Sequence, residues 1–173
     1  MKQAILIGTS HSIQRGEKAE SEEFKFYLKS ICDSYNIKAI AEEIDNKCVS
    51  IAKQITDEYT LYYKIIEPTP EEKRDLNIEI EDEITSNIML KYDIRQWPSD
   101  VESHPRAHTI YEEYKDLIQA TYRRRESEWL KRIQELNFWP LLIICGADHY
   151  EPFAQLLSEN GICVKKENDR WGL

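Results

Sequence analysis

The chain reads as an α/β protein: a mostly parallel central sheet with helices on both faces and a helical and loop insertion. Three observations predict this. Short apolar runs of strand length alternate with longer stretches of helical period. The strand runs are near-continuously apolar, as strands buried on both faces are. One stretch, roughly 68–108, breaks the rhythm. At 173 residues the chain suffices for one well-buried core and is short for two ordinary domains, so a single domain over 1–173 is expected, with 68–108 inserted into it.

In chain order, the strand candidates are Gln3–Gly8, Lys38–Ile44, Leu61–Glu67, Leu141–Gly146 and Ile162–Lys165, each a short apolar run. Between them, Glu22–Tyr35, Lys47–Tyr59, the long segment Thr109–Leu136 and the shorter Glu151–Asn160 place apolar residues at helical spacing. Inside the irregular stretch, Thr69-Pro70-Glu71-Glu72 spells a helix start, with Thr69 as N-cap, Pro70 at the first position and Glu72 closing a capping box. Trp97-Pro98-Ser99-Asp100 and Ser103-His104-Pro105 read as loop.

Composition narrows the classes of function. A net charge of −9 argues against a protein that neutralises phosphates along a nucleic acid, and the one basic run, Arg123-Arg124-Arg125, is followed by Glu126 and Glu128 as on a mixed-charge helix. Cys32, Cys48, Cys145 and Cys163 show no Cys-x-x-Cys spacing, and Cys145 and Cys163 lie in apolar runs, so reduced thiols are expected. The run Ala4–Ile7 is too short for a signal-peptide core and no stretch has the length of a membrane span, so a cytoplasmic protein without a membrane partner is expected.

Candidate chemistry gathers at strand ends. Parallel sheets bind ligands beyond the carboxyl ends of their strands. Ile7-Gly8-Thr9-Ser10-His11 and Cys145-Gly146-Ala147-Asp148-His149 both place a histidine three residues after a strand-ending glycine, and with only 5 Gly and 4 His in the chain the matched pair stands out against chance. Glycine is expected there for a tight turn, and a histidine on such a turn is expected to be removable with little loss of stability. The second strand runs into Glu42-Glu43-Ile44-Asp45, one carboxylate of which should enter the site as metal ligand or general base. On the long helix, Tyr111, Tyr114, Ile118, Tyr122, Trp129 and Leu136 form one stripe with Arg125 at its centre. Arg125 is therefore expected to be buried against a carboxylate or an anion, with Arg123 and Arg124 exposed. His104 and His108 share a metal-like spacing, but Pro105 between them favours loop. No His-Glu-x-x-His, phosphate loop or Gly-x-Gly-x-x-Gly occurs.

Gly8-Thr9-Ser10-His11, Glu43-Ile44-Asp45, Arg125-Glu126-Ser127-Glu128-Trp129 and Gly146-Ala147-Asp148-His149 resemble, in order, the motifs of the TraB/Tiki superfamily, which also takes in erythromycin-esterase-like and ChaN-like proteins. The arginine motif there usually continues with Asn or Asp, where this chain has Glu126. The resemblance implies a site of His11, Glu43, Arg125 and His149, and a metal-dependent peptidase, an esterase with a histidine base, or a haem binder. The leading expectation is a hydrolase of peptide or ester bonds in which His11, Glu43 and His149 bind a divalent cation, manganese or cobalt rather than zinc, or jointly activate water, while Arg125 orients a carboxylate or steadies an oxyanion. The alternatives are a non-catalytic protein that binds a small molecule or peptide in the same pocket, and an interaction module presenting Tyr62, Tyr63 and Trp97.

Overall fold

The computed structural model describes residues 2–47 and 49–173. Five strands form one sheet: β1 (Gln3–Thr9), β2 (Ala39–Glu42), β3 (Tyr62–Ile65), β4 (Leu141–Gly146) and β5 (Cys163–Lys166), in the spatial order β3-β2-β4-β1-β5. Every neighbouring pair is parallel. β1 and β4 run in step from Ala4↔Leu141 to Thr9↔Gly146, and β2 joins β4 from Ala39↔Leu141 to Glu42↔Ile144. The carboxyl ends of these three strands therefore share one edge.

Helices cover both faces. On one, Ile5, Ile7, Ile40, Leu142 and Ile144 meet Ile13 of α1 (His11–Gln14), Phe24, Leu28 and Ile31 of α2 (Ser21–Tyr35), and Ile51 and Ile55 of α3 (Ile51–Tyr59). Because successive strand residues point to opposite faces, the other face carries Ala4, Leu6, Ala39, Ala41, Leu141 and Ile143. Trp129, Leu130 and Ile133 of the long helix and Phe153, Ala154 and Leu157 of the last helix (Tyr150–Glu159) pack there, the alanines leaving room for the two large rings.

The irregular middle is a compact unit of its own, Pro68–Arg125, and the sheet with its helices is the other. In it, α4 (Pro70–Asp75) starts as its sequence predicts, with Thr69 and Glu72 forming a capping box. It is followed by α5 (Glu81–Tyr92), α6 (Ser99–Glu102) and the first part of α7 (Ala107–Gln134); α8 is the Tyr150–Glu159 helix. The unit runs on to Arg125, past the 68–108 stretch, because Ile110 of α7 is buried in its core with Ile84, Ile88 and Val101, and Tyr114, Leu117 and Ile118 pack against them. Ser99 and Asp100, expected in a loop, begin the single turn of α6, whose Val101 is the buried residue that makes the turn worthwhile.

After β5 the chain doubles over the end of β1. Gly8 N–H donates to Asn168 O at 2.7 Å, Trp171 N–H returns a bond to Gly8 O at 2.9 Å, and the Thr9 hydroxyl donates to Trp171 O at 2.9 Å. Trp171 lies against the rings of Phe24 and Tyr27. Cys32 and Cys145 are buried free thiols; Cys163, expected in an apolar setting, is an exposed free thiol because β5 is an edge strand. Cys48 lies outside the described residues. No described helix is long and apolar enough to cross a membrane.

Candidate functional site

The two histidines leave adjacent strands at the same level. β1 ends at Thr9, Ser10 caps α1 by accepting the Ile13 N–H, and His11 is the first residue of that helix. β4 ends at Gly146, level with Thr9, and the 3-10 turn Ala147–His149 leads into α8. Glu43 joins them. Its backbone N–H extends the ladder to Ile144 O at 2.8 Å, its Oε1 lies 3.2 Å from His11 Nε2, and its Oε2 accepts the Gly146 N–H at 2.6 Å. A methyl group built on Gly146 would stand 3.2 Å from Glu43 Oε2 and 3.6 Å from His149 Cδ2, so the Glu43 carboxylate and the His149 ring crowd the same backbone atom. His11, Glu43 and His149 thus share one edge of the sheet, Glu43 bridging the two turns.

These contacts also correct the reading of the glycines. Gly146 has φ −60, an ordinary conformation, and Gly8 is a strand residue paired with Cys145. Close approach, not turn geometry, requires Gly8, where a Cβ would lie 2.1 Å from the Asp169 carbonyl oxygen, while at Gly146 the fit is merely tight.

His149 has a carboxylate of its own. Its Nδ1 lies 2.8 Å from Glu126 Oε1, and both side chains are buried. Trp129 meets the imidazole edge-on at 4.7 Å between ring centres and donates its Nε1–H to Glu67 Oε2 at 2.9 Å. The expectation that His149 could be truncated without loss of stability is overturned, because the ring is packed between Trp129 and Glu126 instead of standing on an open turn. His11, with 43 % of its side chain exposed, fits that expectation.

Glu126, Glu67 and Trp129 escaped assignment to the site. Glu126 was legible in one respect: it falls four residues after Tyr122 and three before Trp129, on the inward stripe of the helix. Arg125, expected to be largely buried, is half-buried, and its guanidinium lies over the Tyr122 ring at 5.7 Å. Arg123 and Arg124 are exposed as expected, Arg124 donating to the Asn77 carbonyl.

Beside Glu43, Glu42 points to the opposite face and is completely buried. Ser50, the N-cap of α3, and Tyr63 each donate a hydroxyl to its Oε2 at 2.5 Å. Burial pushes this carboxyl up to about 7, against the pull of the two hydroxyls and of His11, with Glu43 adding to the rise. Tyr63 is therefore half-buried and engaged below the surface; Tyr62 is exposed and stacks on Phe138, and Trp97 packs on Tyr111 and Tyr114 within the helical unit. Asp45 sits in the loop after β2, bonded to Arg15 at 2.9 Å. His104 accepts the Arg106 N–H at 3.0 Å in a loop, as Pro105 foretold.

The donor set expected for a divalent ion was His11, Glu43 and His149. Among the described residues no group of three or more His, Cys, Asp or Glu side chains is arranged to hold a metal ion. Each imidazole is instead matched to a carboxylate, and one Glu43 oxygen is engaged by backbone. The chemistry this arrangement supports directly is proton handling. A carboxylate at one imidazole nitrogen fixes the tautomer and places the basic lone pair on the other.

No profile of a known protein family, no curated protein and no solved structure matches the chain.

Proposed function

We propose that the chain is a hydrolase acting on a peptide or ester bond of a small-molecule or peptide substrate, with His11 and His149 moving the protons. The observation that carries this reading is the pair of histidine–carboxylate couples, His11–Glu43 and His149–Glu126, on one edge of a parallel sheet. The resemblance to the TraB/Tiki superfamily supports it independently. In the tautomer that donates Nε2–H to Glu43, His11 carries its lone pair on Nδ1 and takes a proton from water as the water attacks the carbonyl. His149, with Nδ1–H on Glu126, is the general acid: carrying a proton on Nε2, and with it a positive charge, it hands that proton to the leaving group. The buried Glu126 supports that charge as a carboxylate supports the histidine of a catalytic triad.

The resemblance also implies a divalent cation, manganese or cobalt before zinc, which would supply Lewis acidity and a more acidic bound water; no step above is routed through it. It gives Arg125 the role of steadying developing negative charge. The free thiols Cys32, Cys145 and Cys163 favour a reducing compartment, and we assign the protein to the cytoplasm.

The test is turnover on a panel of esters and peptides, with added manganese, cobalt or zinc and with chelator, for wild type, His11→Ala, His149→Gln and Arg125→Lys. Loss of either histidine is expected to lower kcat by roughly 10²–10⁴-fold, the usual contribution of a positioned acid or base. Full activity of His11→Ala would overturn the reading. Wild type inert under every condition would leave the pocket to the binding of a small molecule or peptide without turnover.

A further inference from the structure

One helical turn beyond His11, Gln14 is completely buried, and neither its Oε1 nor its Nε2 has a hydrogen-bond partner. Glu42 Oε1 is the third such atom among the described residues, although Oε2 of the same carboxyl accepts two hydroxyls. Buried polar atoms are nearly always paired, to protein or to ordered water, so three orphans in one region call for a common partner.

The chain brings the two segments that carry these side chains together. α1 and the residue after its cap are held over the β2–α3 connection at three points. His11 reaches Glu43 at 3.2 Å, Arg15 reaches Asp45 at 2.9 Å, and a Cβ on Gly16 would stand 4.0 Å from Ile51 Cγ1. Gln14 lies between these anchors in sequence. Glu42 directly precedes Glu43, and its carboxyl is bonded to Ser50, the residue directly before Ile51. Gln14 and Glu42 thus belong to two segments, α1 and the end of β2, that are held together on either side of them.

The orphans are two acceptors and one donor group, the complement of a water molecule that would donate to Glu42 Oε1 and to Gln14 Oε1 and accept from Gln14 Nε2–H. Three protein partners is the usual number for a buried water. We propose that a single internal water joins Glu42 to Gln14 and ties α1 to the end of β2, making Glu42 and Gln14 positioning residues for the His11–Glu43 couple. Only that last consequence rests on the proposed hydrolase; the water itself is tested without turnover.

The experiment is water-to-amide cross-relaxation on the isotopically labelled full chain, read at the Gln14 side-chain amide, together with the ring nitrogen shifts of His11. Wild type is expected to give a long-lived water cross-peak at Gln14 and a His11 ring fixed with its proton on Nε2. Gln14→Leu is expected to release His11 into a mixture of tautomers, and Glu42→Leu to do the same while abolishing the Gln14 cross-peak. Glu42→Gln, which keeps an oxygen in place, should restore both signals. Should the leucine variants fail to fold, wild type and Glu42→Gln carry the test. No cross-peak in folded wild type, or one unchanged in Glu42→Leu, would overturn the proposal. A wild type without hydrolase activity would leave these signals as expected, so the two ideas fail separately.

Discussion

A Cβ on Gly8 or Gly146 meets different things, and the difference predicts an ordering. At Gly146 the nearest atom is the end of the Glu43 side chain at 3.2 Å, which can shift by a few tenths of an ångström; at Gly8 it is the backbone carbonyl of Asp169 at 2.1 Å, which cannot move alone. Gly146→Ala is expected to cost about 1–3 kcal/mol, the usual range for overpacking. Gly8→Ala is expected to cost more, since the Asn168–Trp171 segment must lift from β1; urea unfolding of the two variants checks the order. The histidines divide likewise. His149→Ala removes a buried ring packed against Trp129 and bonded to Glu126 and is expected to destabilise by roughly 2–4 kcal/mol, and His11→Ala by under about 1 kcal/mol, as thermal melting would show. Glu42 gives a pH dependence of known sign. Its pKa, about 7 in the fold against 4.5 as the reference, means that the folded state binds this proton more tightly than the unfolded chain. Its contribution is most favourable below pH 4.5 and is lost as pH rises toward about 7, by at most roughly 3 kcal/mol. Glu42→Gln should therefore gain stability over wild type as pH rises from about 5 to about 8; melting curves with no such divergence would place the ionisation elsewhere. At this scale the sequence was half legible. His11, Glu43 and His149 could be found because glycine, histidine and carboxylate recur at strand ends. Gln14 could not, because whether a polar residue on a helix is buried depends on what the helix lies against, and Glu126 could only through its place on the inward stripe.

Two N-caps show how local sequence and tertiary packing share the work of an element. Thr69 caps α4 through a capping box on an exposed helix with no buried residue, whereas Ser50 caps α3 and also donates to buried Glu42. Thr69→Ala is expected to cost about 1 kcal/mol, a cap alone. Ser50→Ala removes the cap and one of two donors to a buried carboxyl, and is expected to cost two to three times as much. Chemical denaturation of the two variants compares them, and equal losses would mean that the Ser50–Glu42 bond contributes nothing. Strands and long helices were legible to within a few residues, since apolar runs and helical spacing are written locally. β2 stops at Glu42, short of Ile44, although Glu43 N–H still bonds to Ile144, and α3 starts at Ile51, after Lys47, with Ser50 as its cap. α6 was illegible: its single turn is held by the burial of Val101, a contact that no local pattern announces.

Across the whole molecule, the sheet order places the earliest strand deep inside. β1 lies between β4 and β5, both encoded after residue 140, and the 68–125 unit is interposed in the chain before either is made. β2 can pair with β3 locally, but its other neighbour is again β4. Parallel pairing over such separations must close long loops before any contact rewards it, which slows folding and prolongs the exposure of unpaired strand. On a ribosome, the apolar run Ala4–Ile7 therefore waits for its neighbours until β4, Leu141–Gly146, has emerged. A fragment ending at residue 140 is expected to show no protected amides in β1 by hydrogen exchange, whereas the full chain protects them strongly; protection in the fragment would mean that β1 finds another partner first. The same geometry makes the yield of this fold in a cell a matter of how soon β4 follows β1 out of the ribosome.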